Sequence, residues 1–403
     1  MAGEAATGPL AGIRVLDLTS VLLGPYATQI MGDMGADVIK VESLDGDVTR
    51  NVTPFRNPGM GTVFLNVNRN KRSLSMDLKN TGARDALLSL ARSADVFVSS
   101  VRPAAMRRLG LGYEDLKVIN PKLIYCGAYG FSEQGPYAGR PAYDDIIQAA
   151  CGLADYHNRA DGAPAYSRTV IADKVTGLMC LSAISMALVA RERSGIGQFI
   201  EVPMFESLVA FLHPEHLQGA TFPDGDSKTG YDRVLAPHRK PYRTKDGHVA
   251  LLPYTARQWS DYLRAIGRED IAAASWVTDP AERSRNIGRL YQIVAEATPA
   301  RTSAEWLALF AEIDVPAMPV MGTEDLLQDP HLDEIGFWPL FRHRSEGEIR
   351  MVGQPIRYGS TPASYRLGAP RLGEHSREIL AEGGLAGAEI DALLAAGVVF
   401  QAP

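Results

Sequence analysis

The sequence predicts an α/β protein of two domains whose larger part is built on a mainly parallel sheet. Three observations carry this. Within the first part of the chain an apolar run, a glycine-led helix and a second apolar run follow one another, ending at Glu42. That is the βαβ order of two parallel strands joined by a right-handed crossover. The chain has 403 residues, too many for one compact core, so two domains of roughly 100–250 residues each are expected. The composition is 46% hydrophobic, 8% aromatic and 22% charged, which excludes disorder, collagen-like repeats and low complexity.

The elements follow in order. Ile13–Leu18 is an apolar run that suits a buried strand; Gly24 and Pro25 open a helix over Tyr26–Met34, which Gly35 stops; Asp37–Glu42 is the second strand. Thr81–Arg92 has helical spacing, and Ala94–Ser99 and Lys122–Cys126 are further strands. Thr176–Ala190 is apolar and closed by Arg191-Glu192-Arg193. It is shorter than the roughly 20 residues of a membrane span and reads as a buried helix. After the turn at Gly195–Gln198 come a strand at Phe199–Val202 and a helix through Met204–His213. Residues 220–248 are rich in Gly, Pro, Asp and basic side chains without a sustained period, the pattern of a linker or active-site loop. Asp246-Gly247 turns the chain into a strand at His248–Leu252. Helices follow at Ala256–Ile266, Ser284–Ala297 and Ser303–Ile313, the last with Thr302 or Ser303 as N-cap. The tail from Met318 returns to short strands and ends in a helix at Ala388–Ala396.

Charge and cysteine usage exclude several classes. Lys+Arg is 41 against Asp+Glu 47, a net charge of −6, which argues against a nucleic-acid partner. It leaves room for one anionic ligand in a local basic pocket. Cys126, Cys151 and Cys180 have no CxxC spacing, so neither a disulfide framework nor a zinc site is expected, and reduced thiols fit a cytoplasmic protein. The N-terminus lacks the basic and apolar regions of a secretory leader. No HExxH, GxSxG or metal-spaced His/carboxylate cluster occurs, so no metal and no zinc- or serine-hydrolase chemistry is expected.

Each candidate for chemistry has a plainer alternative. The Gly24 loop between strand and helix offers free helix N-terminal N–H groups to a phosphate, or is a tight turn needing glycine; it is not the GxGxxG of a nicotinamide enzyme. Lys71, Arg72, Lys79, Arg102, Arg107 and Arg108 form a basic mouth for a nucleotide-like cofactor, or a solvated charged face. Asp173 lies where an apolar segment meets the 174–190 helix. The plain reading is an N-cap; the chemical one is a carboxylate nucleophile kept ionised by the helix dipole. Tyr143-Asp144-Asp145 precedes another helix and admits the same N-cap reading. His238, Arg239, Lys240 and Arg243 form an exposed basic loop or a clamp for carboxylate substrates.

Taken together, the motifs resemble one family. Pro9–Leu18, Gly24-Pro25, Met31–Glu42, Asn70–Ser73, Leu109–Leu116, Asn120–Tyr125, Arg140–Asp144, Ala172–Gly177, Gly195–Gln198, Val315–Val320 and Leu372–His375 look like signatures of class III coenzyme A transferases. These are the CaiB–BaiF type, which includes formyl-CoA transferase. The resemblance spans almost the whole chain. It implies a Rossmann-like large domain from both chain ends (residues 1–200 and 320–403), a small α+β domain (225–315) and linkers at 201–224 and 316–319. It also implies an interlocked homodimer, acyl-CoA and carboxylic acid substrates, no membrane, and coenzyme A as co-substrate with no tightly bound cofactor. Asp173 becomes the catalytic carboxylate, passing through an acyl–aspartyl anhydride and an aspartyl-CoA thioester. By position Val21, Leu22, Leu23, Met76, Asp77, Leu78, Lys79 and Arg108 match coenzyme A contacts, with Tyr143 and Asp144 bordering the pocket.

Departures narrow the substrate. Ser43 stands where some members have Arg, Ser99-Ser100 replaces a common Glu-Asn, and the Gly-rich active-site loop of formyl-CoA transferase has no counterpart. His238–Arg243 lies in that region instead. These changes argue against formyl or oxalate and for a dicarboxylate pair such as succinyl-CoA and a second acid, with His238, Arg239 and Arg243 binding substrate. The alternative is a 2-methylacyl-CoA racemase, whose relatives carry His before the Asp that is Asp144 here. Tyr143 holds that place, and a phenol with an ordinary pKa of about 10 is a poor base near neutrality.

Overall fold

The computed structural model describes residues 6–403; most of the N-terminal stretch read for a leader lies outside them. The chain divides into two compact units. The first comprises Met1–Cys151, Ser167–Phe211 and His331–Pro403; the second comprises Gly152–Tyr166 and Leu212–Pro330.

The first unit holds a seven-stranded sheet. Strands β1 (Arg14–Leu18), β2 (Asp37–Glu42), β3 (Lys71–Met76), β4 (Val96–Ser99), β5 (Ile124–Tyr129) and β6 (Phe199–Pro203) pair in parallel. The short β7 (Val399–Phe400) lies antiparallel to β3, so the order is β7-β3-β2-β1-β4-β5-β6. Strands β1, β2, β4 and β5 are buried almost throughout, which is why they read as short apolar runs rather than alternating ones. The winding goes outward from β1 through β2 to β3, then restarts at β4 on the other side of β1. Such a reversal opens a crevice beyond the carboxyl ends of β1 and β4, where ligands of open α/β sheets bind.

Helix α1 (Leu23–Asp33) connects β1 to β2, and α2 (Thr81–Ala91) connects β3 to β4. Asn80 caps α2, its Oδ1 accepting the N–H groups of Gly82 and Ala83 at 2.9 and 3.3 Å. One core joins Leu16, Ile39, Leu74 and Phe97 of the sheet to Leu87 and Leu90 of α2 and to Ile379, Leu380 and Val399 of the C-terminal region. The two chain ends therefore share one hydrophobic core.

The apolar segment after Asp173 departs from expectation. It belongs to a 24-residue helix, α4 (Ile171–Ser194), introduced by the shorter α3 (Asp144–Ala150). By length and composition alone α4 could cross a membrane. It packs one face against α1, β5 and β6 and leaves Leu178, Met186 and Val189 at 48%, 65% and 54% exposure. The periodicity did not separate a fully buried helix from one buried along a stripe.

In the second unit, Tyr242–Arg243, His248–Leu251 and Ala317–Pro319 form a three-stranded antiparallel sheet. Its core is aromatic, with Trp259, Tyr262, Tyr291, Trp306 and Phe310. Thr302 is the N-cap of the Ser303–Glu312 helix: its Oγ1 accepts the Glu305 N–H while Glu305 returns a carboxylate to the Thr302 N–H. The helix expected over 284–297 is broken at Asn286 into Pro280–Arg285 and Ile287–Ala297.

Candidate active site

A cavity lies at the crevice that the strand order opens. Its volume is about 380 Å³, and it is lined by Ser20, Val21 and Leu23 after β1, by Ser100 and Arg102 after β4, by Gly130 after β5, and by Tyr143 and Asp173. Three glycines let these walls meet. A Cβ on Gly24 would lie 2.3 Å from the Thr19 Cβ, so the β1–α1 turn closes only with glycine there. One on Gly130 would stand 2.3 Å from the Ala142 Cβ. One on Gly177 would stand 2.6 Å from the Leu23 carbonyl oxygen, so glycine lets α4 rest on the first turn of α1. Gly177 is one turn beyond Asp173, and this close approach brings Asp173 to the β1–α1 loop.

Asp173 is not the N-cap. Val170 occupies that position, and Asp173 is the third residue of α4. Its side chain is therefore not spent on capping and faces the cavity. Its backbone N–H is held by Oδ1 of the buried Asp144 at 3.1 Å, and the other Asp144 oxygen accepts from the Gln148 amide. Oε1 of Gln148 accepts the Ser167 N–H at 2.9 Å, so α3 fixes the segment that delivers Asp173. Asp144 opens α3 behind Tyr143, which is the N-cap residue and makes no side-chain cap. Burial first, and the like charge of Asp144 second, push the Asp173 carboxyl up to about 6. The dipole reading alone expected the opposite direction. At pH 7 such a group is still about nine-tenths ionised, and more basic than an ordinary carboxylate.

The remaining sequence candidates separate. Tyr143, 70% exposed, borders the cavity with Val21 and Leu23. Met76, Asp77, Leu78 and Lys79 lie at the end of β3, and Arg108 ends the Pro103–Arg108 helix; none of them lines this cavity. Lys79 and Arg108 are exposed. The basic mouth loses two members. Lys71 is buried, donating to Asp17, to Asn68 and to the Pro25 carbonyl at 2.8–3.0 Å. Arg72 is tied to Asp37, Glu378 and Glu382. His238, Arg239 and Arg243 belong to the second unit. The cations that line the cavity are Arg102 and Arg140, the latter stacked on Tyr137 at 4.4 Å. Arg102 is the one member of the expected basic mouth that lines this cavity; Arg140 carried no such signal, because only the chain's return past β5 brings it to Asp173.

Such a site places a carboxylate of raised pKa at the switch crevice of a parallel sheet. Comparison with known proteins places it. The family model for CoA-transferase family III matches residues 10–376, and the chain belongs to that family. It is an enzyme of the class III CoA-transferase, CaiB/BaiF type. It is 35% identical over 390 residues to succinyl-CoA:mesaconate CoA-transferase of Haloarcula hispanica, covering 94% of this chain and 97% of that protein. It is 34% identical to acetyl-CoA:oxalate CoA-transferase of Acetobacter aceti, covering 93% and 96%. Among solved structures, a CAIB/BAIF family protein from Brucella suis superposes with a TM-score of 0.78 at 30% identity, covering 94% of this chain and all of that one.

Proposed function

We propose that Asp173 is the nucleophile of a transferase that moves coenzyme A from a dicarboxylyl-CoA, with succinyl-CoA as the first candidate, to a second carboxylic acid. The observation that carries this reading is an uncapped, raised-pKa carboxylate facing the crevice at the switch point. Both named relatives take a dicarboxylic acid, which supports that substrate class; the oxalate enzyme weakens the sequence-based argument against oxalate.

A carboxylate oxygen of Asp173 attacks the thioester carbonyl, the C–S bond breaks, and CoA thiolate leaves behind an acyl–aspartyl anhydride. The thiolate attacks the Asp173 carbonyl carbon, expelling the donor acid and forming an aspartyl-CoA thioester. The acceptor carboxylate displaces thiolate from that thioester to give a second anhydride. Thiolate then attacks the acceptor's acyl carbon and Asp173 leaves as carboxylate. Each step exchanges one activated acyl for another, so the cycle needs no ATP.

In this reading the backbones of Val21–Leu23 and Met76–Leu78, together with Lys79 and Arg108, contact coenzyme A. Tyr143 borders the reacting carbon, while Asp144 acts through Asp173. His238, Arg239 and Arg243 are the candidate clamp for the acceptor carboxylate, on their chemistry alone. The exposed Leu178, Met186 and Val189 suit a face covered by a second copy, consistent with a homodimer. The racemase alternative loses ground, since Tyr143 supplies no base and the relatives are named as transferases.

The experiment is peptide-mapped mass spectrometry after incubation with succinyl-CoA, with and without a hydroxylamine quench. A hydroxamate or CoA adduct on the Asp173 peptide is expected. No adduct with succinyl-CoA, glutaryl-CoA or acetyl-CoA, together with α-deuterium loss from a 2-methylacyl-CoA, overturns the reading in favour of the racemase.

A further inference from the structure

The loop that borders the cavity on the β1 side contains a backbone conformation that its own residue disfavours. Val21 has φ of +68°. A β-branched side chain in the left-handed region is a genuine outlier, and such outliers persist only where the surroundings over-determine them. Here the surroundings are charged and buried. The Val21 N–H points at both oxygens of Asp47, at 3.3 and 3.2 Å. The Lys40 ammonium bonds Oδ2 of Asp47 at 3.0 Å and the Thr19 carbonyl at 2.9 Å, so one cation holds the start of the bend and the anion that holds its apex.

Asp47 has further partners. Oδ1 of Asp47 accepts the N–H and hydroxyl of Thr49 at 3.0 and 2.8 Å. The Asp47 N–H goes to Glu42, which Arg50 grips through two nitrogens at 2.7 and 2.8 Å. On the other flank the Thr19 N–H donates to Asp17 at 3.0 Å. The side chains of Lys40 and Asp47 are 0% and 1% exposed. A buried ion pair is poor value as a source of stability, because its desolvation cost rivals its attraction. What this pair does, and an apolar pair would not, is fix Thr19 and Val21 at hydrogen-bond distance from a rigid strand. The next residues, Leu22 and Leu23, start α1, whose first N–H groups have no acceptor within the helix.

We propose that Asp47 and Lys40 are positioning residues for CoA transfer: they clamp Val21 in the left-handed conformation and so set the Val21–Leu23 backbone against the Asp173 cavity. The role rests on the transferase reading above, but the clamp itself is independently measurable. They touch no substrate; they act through the loop.

The test uses Asp47→Asn, which keeps the volume but turns an amide toward Lys40, alone and combined with Val21→Gly. Glycine takes φ above zero as readily as below it, so it needs less of a clamp. Asp47→Asn is expected to speed hydrogen–deuterium exchange of the 19–26 peptide about tenfold and to lower kcat at least about tenfold, with KM for the acyl-CoA changed less than about threefold. Adding Val21→Gly is expected to recover about fivefold or more of the lost kcat without recovering Tm. A purely structural role gives the converse: Tm falls, kcat per folded molecule holds, and the glycine rescues nothing. Either an unchanged kcat in Asp47→Asn or failure of the rescue overturns the proposal.

Should Asp47→Asn not fold, Val21→Pro decides. It forbids the positive φ and removes the N–H while leaving Lys40 and Asp47 paired. Folded Val21→Pro is expected to lose kcat about a hundredfold, and wild-type turnover by it refutes the clamp. A wild-type protein that forms no adduct at Asp173 fails the transferase reading instead, and unchanged exchange at 19–26 in Asp47→Asn then rejects the clamp on its own.

Discussion

Gly177→Ala tests whether the contact between α4 and α1 sets the position of Asp173, the proposed nucleophile. The added methyl would stand 2.6 Å from the Leu23 carbonyl oxygen, a backbone atom, and 3.3 Å from the Tyr26 ring. An ordinary carbon–oxygen contact is about 3.2–3.4 Å, so the two helices must separate by roughly 0.6–0.8 Å. Asp173 lies one turn away on α4 and moves with it. Misplacement near 1 Å costs catalysis on the order of a hundredfold, so kcat is expected to fall about 10- to 100-fold. Stability changes less. Overpacking costs about 1–3 kcal/mol, and the better helix propensity of Ala returns up to about 1 kcal/mol. The assay is exchange of labelled succinate into succinyl-CoA, with a thermal melt on the same preparation. A variant that melts within a few degrees of wild type and turns over within twofold of it refutes the reasoning, because α4 would then not be placed by this contact.

Four further outcomes are expected. On the proposed mechanism the reaction needs the Asp173 carboxylate, so kcat/KM is expected to rise with pH through about 6 and to be flat above it. Asp144→Asn removes the smaller cause of the raised pKa and leaves burial, so the acid limb is expected to move down while staying above the ordinary carboxylate range; a limb unmoved in a pH–rate profile refutes the charge coupling. Arg239→Ala and Arg243→Ala are expected to raise the acceptor KM about tenfold or more with kcat little changed, and an unaltered KM removes both from substrate binding. Lys71→Met strands the buried Asp17, whose carboxyl is driven up by burial but held down to about 2 by Lys71, Lys40 and two hydroxyls. Unfolding in urea is expected to show a loss of about 3–5 kcal/mol, and a loss below 1 kcal/mol rejects the role assigned to that pair.

Much of the fold was legible because its signals are local. The apolar runs of β1, β2 and β4, the glycine-led α1 and the N-cap at Thr302 or Ser303 each depend on residues a few positions apart. The family motifs made Asp173 a nucleophile where the residues alone favoured an N-cap. That local reading failed because the cap is decided by how the chain enters the helix, and the entry is held by Asp144 and Gln148, 29 and 19 residues from the atoms they bind.

The basic segment shows the same division. Lys71 and Arg72 are neighbours in sequence and read as one cationic cluster, yet alternation along β3 sends them apart. Lys71 meets Asp17, 54 residues earlier, and Arg72 meets Glu378 and Glu382, more than 300 residues later. By itself, then, the sequence determined the mainly parallel α/β sheet and the family. Tertiary structure alone decided which charges are buried and paired, which face of α4 is exposed, and that Val21, Arg102, Arg140 and Asp173 share one cavity. The reason is physical: propensity and periodicity act over a few residues, whereas burial, pKa and the walls of a crevice depend on segments that only the closed sheet brings together.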